Sequence, residues 1–165
     1  DVDDIVTVWV ALSPATHYNG CMQFMPRTHL GEVIEHTDTW ESGNILTRGQ
    51  TINVRIDPEK AVSVQLEPGE ASFHHVKMWH GSDANQSDDR RISIAIRYIP
   101  TRTRQTYVKK DFATLVRGED TFGHFVHEPP PERDMVPTFL QLHDEITAAQ
   151  QLILYHDTDK TEYGK

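Results

Sequence analysis

The amino-acid sequence predicts an all-β core followed by a helical tail. Between residues 5 and 100, short runs rich in β-branched and aromatic residues recur, and each run ends near a turn that contains proline or glycine. Many short strands at such spacing are typical of a sandwich, a barrel or a jelly roll rather than of alternating strand and helix units. Over 137–155 the apolar residues recur at steps of three and four instead, which predicts an amphipathic helix.

Local patterns assign the individual strands. The first predicted strand is a continuous apolar run that stops at Ser13-Pro14, whereas the last alternates apolar and polar residues until Pro100. The polar stretch over 27–49 is interpreted as a long excursion with one helical turn, and such excursions in compact domains are usually functional. The predicted strands are 5–12, 21–25, 51–56, 61–66, 71–79 and 92–98.

Composition limits the functions to be considered. A chain of 165 residues suits one compact domain, and its net charge of −9 disfavours a nucleic-acid surface, so a small-molecule partner is expected. No apolar run is long enough to cross a bilayer and the start lacks the pattern of a signal peptide, so no membrane partner is expected. The single cysteine, Cys21, excludes an internal disulfide and favours a reducing, cytoplasmic location.

The most informative segment is the polar loop that opens with His80 and closes with Arg90 and Arg91. If this loop joins neighbouring antiparallel strands, its two ends converge at one mouth of the β core, where small-molecule sites commonly form. A neutral imidazole is a good ligand for iron(II), and arginine presents a planar fork that matches a carboxylate. These residues suit a metal-bound keto acid, and Arg91 is preferred because strand alternation turns only one of the two arginines inward.

The chain resembles the phytanoyl-CoA dioxygenase family of Fe(II)- and 2-oxoglutarate-dependent oxygenases. The resemblance spans nearly the whole chain and rests on five segments that occur in the family's order: Trp9–Leu12, Asn19–Cys21, Pro26–His29, Leu66–Glu70 and His80–Arg91. It implies a double-stranded β-helix, a cupin-like jelly roll with a C-terminal helical tail. Residues 1–100 would be the C-terminal part of this oxygenase domain, and 101–165 an irregular segment and helix packed on the same domain.

The resemblance also implies roles for individual residues. In the family, a His-x-Asp pair and a distal histidine bind iron, and an arginine eleven residues after that histidine binds the distal carboxylate of 2-oxoglutarate. His80 and Arg91 match these last two positions. Trp9 matches a tryptophan at the 2-oxoglutarate pocket, and Ser82 matches a small hydroxyl residue that bonds this cosubstrate. The implied reaction is hydroxylation of a small organic substrate with O2, in which 2-oxoglutarate is converted into succinate and CO2.

One part of the family pattern is missing. The family places its His-x-Asp pair further upstream than the eight residues that precede Trp9, and none of the aspartates in that stretch follows a histidine at the required step. The chain also opens with Asp1 and moves directly into a strand pattern. We therefore expect this chain to be a truncated portion of an enzyme whose other two iron ligands lie upstream.

The remaining histidines are weighed against structural roles. His74 and His75 are adjacent on a predicted strand, so alternation aims only one of them inward, and iron ligation by either is not expected. His75 is taken as a substrate-pocket candidate, together with His29, which follows a family-like Pro-x-Thr. Cys21 is interpreted as a small buried strand residue rather than a nucleophile, because the sequence shows no partner pattern around it.

Two other classes of function stay open at this point. A cupin-like binding module without oxygenase activity becomes the better description if the parent protein has no His-x-Asp pair. Another metal-dependent jelly-roll enzyme, such as an isomerase or a zinc enzyme, would not need an arginine for a dicarboxylate. The upstream sequence and a metal analysis of the full-length protein discriminate between these alternatives.

Overall fold

The computed structural model describes residues 4–41 and 48–159. Contacts divide the chain into two compact units, one formed by Asp1–Thr39 and Gln50–Pro100 and the other by Trp40–Gly49 and Thr101–Lys165. All of the predicted site residues belong to the first unit. Part of the predicted excursion, residues 42–47, lies outside the described residues. The predicted packing of the C-terminal tail on the β core stays a prediction.

Ten strands and one α-helix are present in the described part of the chain. Most of the strands are short, and the longest two have six residues each. The predicted β-rich core and C-terminal helix are therefore confirmed. The elements are β1 (Val6–Ala11), β2 (Met22–Phe24), β3 (His36–Asp38), β4 (Gln50–Ile52), β5 (Val62–Val64), β6 (Ala71–His75), β7 (His80–Ser82), β8 (Ser93–Tyr98), β9 (Phe112–Ala113), β10 (Val126–His127) and α1 (Pro137–Leu154).

Six strands of the first unit form two antiparallel sheets of three strands. In one sheet β1 lies between β6 and β8, and in the other β2 lies between β5 and β7. The β-branched residues and Trp9 of β1 suit a central strand, because such side chains pack well on a pleated surface, and Thr7, Val8 and Trp9 are buried. A separate antiparallel pair joins β3 to β4.

A small hydrophobic core joins the two sheets. It contains residues of β1, of β2 and of the turn between them, all less than a tenth exposed: Trp9, Ala11, Ala15, Cys21 and Met22. The partly buried Phe24 and Leu66 pack against this cluster. The backbones of Ala15 and Leu66 exchange two hydrogen bonds of 2.8 and 3.0 Å, which ties the turn after β1 to the end of the β5 segment.

The predicted strand over 71–79 is wrong in its second half. β6 ends at His75, and a turn follows in which the Met78 N–H donates to the His75 carbonyl at 2.9 Å. Two more backbone N–H groups bond to side chains instead of to a neighbouring strand. The Lys77 N–H donates to His75 Nδ1 at 3.1 Å, and the Trp79 N–H donates to Thr28 Oγ1 at 2.9 Å. The chain then enters the other sheet as β7. The loop that follows β7 therefore does not join neighbouring strands, which was the condition set for the convergence of its two ends.

The second unit contains the parallel pair of β9 and β10 and the helix α1. Pro137 begins the helix, where its missing N–H costs no intrahelical hydrogen bond. The predicted apolar stripe is confirmed, because its members are partly buried: Phe139, Leu142, Ile146, Ala149 and Ile153. Arg48 Nη1 donates to the Leu154 carbonyl at 2.9 Å and satisfies one acceptor of the last turn. Of the described helices, none is long and apolar enough to cross a lipid bilayer.

Candidate active site in the first unit

The site is built on the face of the β6-β1-β8 sheet that carries Trp9. Residues directly opposite one another in an antiparallel ladder project to the same face, and alternate residues of one strand share a face. The register places Ser72 of β6 and Ala95 of β8 opposite Trp9, and His74 and Arg97 opposite Thr7. Two rows of side chains therefore share the face of the sheet that carries Trp9, and Trp9 itself belongs to the core cluster.

Arg91 lies against Trp9 on this face. Its guanidinium carbon is 5.4 Å from the centre of the Trp9 ring, a cation–π distance, and Trp9 itself is 7% exposed. Arg91 Nη1 is buried and has no hydrogen-bond partner within the part of the chain that the structure describes. A buried guanidinium N–H carries a substantial desolvation penalty, which an anionic ligand would offset. This arrangement fits a carboxylate.

The backbone on both sides of Arg91 is fixed by one hydroxyl group. Ser13 Oγ accepts the Ile92 N–H at 2.8 Å and donates to the Arg90 carbonyl at 3.3 Å, so it brackets Arg91. Asp89 accepts the backbone N–H of Arg90 at 2.7 Å. Arg90 is exposed whereas Arg91 is partly buried, and the choice of Arg91 as the inward arginine is consistent with this difference.

The turn before β2 contacts the loop that follows β7. Gly20 adopts a left-handed backbone with φ of 74°, and a Cβ at this position would collide with the Asp83 carbonyl, so only glycine allows this approach. Cys21 follows in the buried core. Burial is the main cause that raises the pKa of its thiol, while the nearby Arg91 charge opposes this shift. The interpretation of Cys21 as an inert buried thiol agrees with this environment.

His80 begins β7 and pairs with Phe24 across the second sheet. Its Nδ1 lies 2.7 Å from the Met78 carbonyl oxygen, and because a carbonyl only accepts, Nδ1 must be the protonated nitrogen. Nε2 is then the nitrogen with an available lone pair. A histidine that binds a metal commonly donates its other ring N–H to a backbone carbonyl in this way, so the tautomer suits a metal ligand.

His74 is the histidine that lies beside His80. Their ring centres are 5.5 Å apart, and the His74 ring is 4.7 Å from the ring of Phe24. Burial is the main cause that lowers the pKa of His74 to about 4, with smaller contributions from the charges of His80 and Arg97. His74 is therefore a neutral imidazole at physiological pH. Sequence reasoning noted that one of the two adjacent histidines faces inward but selected His75, and only the strand register distinguishes them.

The other predicted residues lie nearby without a defined role. Ser82 is two residues after His80 on β7 and shares its face of the strand by alternation, and it is exposed. His75 and His29 approach each other, with ring centres 5.8 Å apart. His29 Nδ1 is buried and, among the described residues, has no hydrogen-bond partner. A substrate-pocket role for His75 and His29 stays a prediction.

The donor groups fit part of an iron and 2-oxoglutarate site. His80 offers one imidazole nitrogen, and Arg91 with Trp9 offers a place for a carboxylate. Within residues 4–41 and 48–159, no group of three His, Cys, Asp or Glu residues is arranged to hold a metal ion. A two-histidine, one-carboxylate iron site would need two further ligands beside the imidazole that His80 could offer.

Comparison with known protein sequences identifies relatives over the β core. A family model described as Phytanoyl-CoA dioxygenase (PhyH) matches residues 2–93, more than half of the chain. A probable phytanoyl-CoA dioxygenase of Caenorhabditis elegans is 34% identical over 98 residues, which is 58% of this chain and 31% of the relative. A probable alpha-ketoglutarate-dependent hypophosphite dioxygenase of Stutzerimonas stutzeri is 31% identical over 98 residues, covering 58% of this chain and 34% of the relative.

Comparison with solved structures extends the similarity to most of the chain. The non-heme monooxygenase ThoJ in its apo form is 37% identical, with a TM-score of 0.76, over 92% of this chain and 54% of that protein. A nickel complex of ThoJ is 33% identical with a TM-score of 0.70 over 92% of this chain and 52% of that protein. The chain thus spans about a third of these curated relatives and about half of ThoJ. The resemblance predicted from the sequence is confirmed, and the chain belongs to the phytanoyl-CoA dioxygenase (PhyH) family.

Proposed function

We propose that the protein containing this chain is an Fe(II)- and 2-oxoglutarate-dependent dioxygenase that hydroxylates a small organic substrate. When bound, iron and 2-oxoglutarate would supply the oxidising chemistry, with O2 as oxidant and succinate and CO2 as products. His80 would bind the metal through Nε2. Arg91 would bind the distal carboxylate of 2-oxoglutarate beside the Trp9 ring. The Ser82 hydroxyl group would form a hydrogen bond with the same cosubstrate.

The observation that carries this proposal is the partly buried Arg91, whose guanidinium lies on Trp9 with Nη1 buried. The planar guanidinium group of arginine recognises a carboxylate by two parallel hydrogen bonds. The Trp9 ring lies against the Arg91 guanidinium and restricts its orientation. The Ser13 hydroxyl, which bonds the residues before and after Arg91, makes this orientation rigid. A zinc enzyme or an isomerase of similar fold has no need for such a dicarboxylate clamp. Relatives whose names state a dioxygenase or a dependence on alpha-ketoglutarate, another name for 2-oxoglutarate, support the same choice.

We further propose that the two three-stranded sheets are six strands of a double-stranded β-helix. β1, β6 and β8 belong to one sheet and β2, β5 and β7 to the other, so the chain crosses between the two sheets after β1, β5, β6 and β7, as the strands of a jelly roll do. Among the described residues, β7 and β8 are edge strands of the two sheets. β7 contains His80, and β8 begins just after Arg91. An upstream part of the full-length protein would supply the His-x-Asp ligands and complete both sheets.

The test is iron-dependent conversion of 2-oxoglutarate into succinate by the full-length protein. Wild-type protein should form succinate even without the prime substrate, because uncoupled turnover is a common side reaction of a complete site. His80→Ala should remove this activity and weaken metal binding measured by metal analysis after gel filtration. His17→Ala changes an exposed histidine in the turn before β2 and should leave both properties unchanged.

The result also separates the remaining alternatives. A full-length protein that binds neither iron nor 2-oxoglutarate and forms no succinate would contradict the proposal and leave a cupin-like binding module in its place. Tight binding of zinc with activity that is independent of 2-oxoglutarate would instead indicate a different metal-dependent enzyme.

A further inference from the structure

The second unit contains a cavity of about 630 Å³ that the proposed oxygenase site does not use. It lies between the segment 107–112, which runs into β9, and residues 145–152 of α1. Its volume is in the range of about 300–1,000 Å³ that is typical of small-molecule sites. Most of its lining side chains are apolar: Val108, Phe112, Ala148, Ala149 and Leu152.

The walls of this apolar cavity are held in place by the fold. Lys110 Nζ donates to Glu145 Oε2 of α1 at 2.8 Å, which joins the segment 107–112 to the helix. On the other side, the Asp111 carbonyl accepts the Val126 N–H of β10 at 2.9 Å. Because both ends of the wall are fixed, a ligand would enter a preformed space and would pay little to order the protein around it.

A second, polar cavity of about 480 Å³ adjoins the first, since Val108 and Lys109 line both. Its lining includes the cations Arg104 and Lys109, the carboxylate of Asp111 and the ring of His124. Two cations and one carboxylate give this cavity a net positive charge, whereas the chain as a whole carries −9. The polar cavity therefore favours an anion.

Two of the nearby cations are available to such an anion. Lys110 is already engaged, because it pairs with Glu145 and its Nζ lies 4.7 Å from the centre of the Phe112 ring. In the described part of the second unit, no ion pair includes Arg104 or Lys109. Lys109 lines both cavities, so its charge lies at the boundary between the apolar and the polar space.

We propose that the two cavities together form a binding site for an organic anion with an apolar body, such as an aryl-substituted carboxylate. The body would lie in the apolar cavity, and the carboxylate would face Lys109 and Arg104. Burial of the body would supply most of the affinity, because both cations are exposed and exposed ion pairs contribute little. The inference does not depend on the proposed oxygenase function, since the site shares no residue with the one around His80 and Arg91.

The experiment compares four probes: 4-phenylbutyrate, 4-phenylbutan-1-ol, 4-phenylbutylammonium and butyrate. The full-length protein is labelled with methyl-13C-alanine, and each affinity is measured from the shifts of the Ala148 and Ala149 methyl signals, to which binding at another site does not contribute. 4-Phenylbutyrate should bind about tenfold or more tightly than butyrate, which has no ring to bury. It should bind about two- to fivefold more tightly than the alcohol, and the ammonium probe should bind most weakly of the three aryl probes.

Variants test the two parts of the site separately. Leu152→Ser should weaken binding of 4-phenylbutyrate about threefold or more, and because Leu152 is 67% exposed the fold should tolerate the change. Leu140→Ser makes the same change at an exposed leucine of α1 that lines neither cavity, and should leave the affinity intact. Lys109→Gln should reduce the preference for the carboxylate over the alcohol, whereas Lys60→Gln, at an exposed lysine of the first unit, should not.

Equal affinity for butyrate and 4-phenylbutyrate would overturn the site, because the apolar cavity would then hold nothing. The absence of any shift at Ala148 and Ala149 would overturn it as well, and is the result expected if another segment of the full-length protein fills the cavity. A preference for the carboxylate that survives combined replacement of Lys109 and Arg104 by glutamine would refute the assignment of the anion to these two cations.

Discussion

Replacement of Arg91 by alanine tests the proposed 2-oxoglutarate site most directly. The guanidinium lies 5.4 Å from the Trp9 ring centre with Nη1 buried, so a carboxylate bound there would be shielded from water on one side. A hydrogen bond to a charged partner contributes about 1.5–3 kcal/mol, and a bidentate pair in a partly buried site lies at the upper end of this range. Loss of about 2–3 kcal/mol corresponds to a rise of about 30- to 150-fold in the KM for 2-oxoglutarate.

The assay is the initial rate of succinate formation by the full-length protein as a function of 2-oxoglutarate concentration. Arg91→Ala should raise KM by the stated factor, while Arg91→Lys, which keeps the charge but loses the fork, should fall between alanine and wild type. Arg90→Ala is the matched control, because Arg90 is the exposed neighbour with the same charge. A KM within twofold of wild type for Arg91→Ala, or an equal rise for Arg90→Ala, would refute the assignment of the carboxylate to Arg91.

Four further predictions concern the surroundings of the site and the second unit. Ser13→Ala should raise the KM for 2-oxoglutarate about three- to fivefold, the effect of losing roughly 1 kcal/mol of positioning hydrogen bonds. Gly20→Ala should lower the free energy of unfolding by about 2 kcal/mol in chemical denaturation, because alanine is strained at φ of 74° and its Cβ meets a backbone carbonyl. Iodoacetamide should alkylate Cys21 slowly at pH 8 and rapidly after denaturation, since burial raises the pKa of its thiol. The Gly123 and Phe122 N–H groups, and then His127, lower the pKa of Asp120. The stabilising contribution of this carboxylate should therefore be complete above about pH 4 and be lost as the pH falls further, so the difference in Tm between wild type and Asp120→Asn should shrink at low pH.

Each of these predictions has a clear contrary result. An unchanged KM for the Ser13 variant would mean that the Arg91 backbone is held by the β ladder alone. Unchanged stability of the Gly20 variant would mean that the turn shifts freely away from the following loop. Fast alkylation of the native thiol, or a Tm difference for Asp120→Asn that does not depend on pH, would show that the local environments differ from those described.

Sequence patterns predicted the strands and the helix better than they predicted how the strands are arranged. Alternation over β8 and the apolar run of β1 were sufficient to place those strands, because each pattern is local. The assignment of β7 and β8 to different sheets depends on the turn after His75, where backbone N–H groups bond to the His75 carbonyl, to its ring and to the Thr28 hydroxyl. The His75 ring is an unusual acceptor and the Thr28 hydroxyl is distant in sequence, so neither bond could be predicted from the pattern of residues 71–79.

The site shows the same division between local and distant information. The spacing of His80 and Arg91 and the resemblance to the family identified both residues, and alternation favoured Arg91 over its neighbour. The choice between His74 and His75 required the register of β6 against β1, which a sequence does not specify. The role of Ser13 was also missed, because its hydroxyl bonds residues that lie almost eighty positions away.

The hydrogen bond from His80 Nδ1 to the Met78 carbonyl has a consequence for how the protein tolerates change. The acceptor is a main-chain oxygen in the turn between β6 and β7, so every amino acid at position 78 that preserves the turn supplies the same acceptor. The orientation of the imidazole is thus encoded in the length and shape of this connection rather than in a second side chain. Most substitutions near His80 should therefore be tolerated. Insertion or deletion of a single residue between positions 75 and 80 should instead misorient the imidazole and displace Nε2, even though His80 itself is retained.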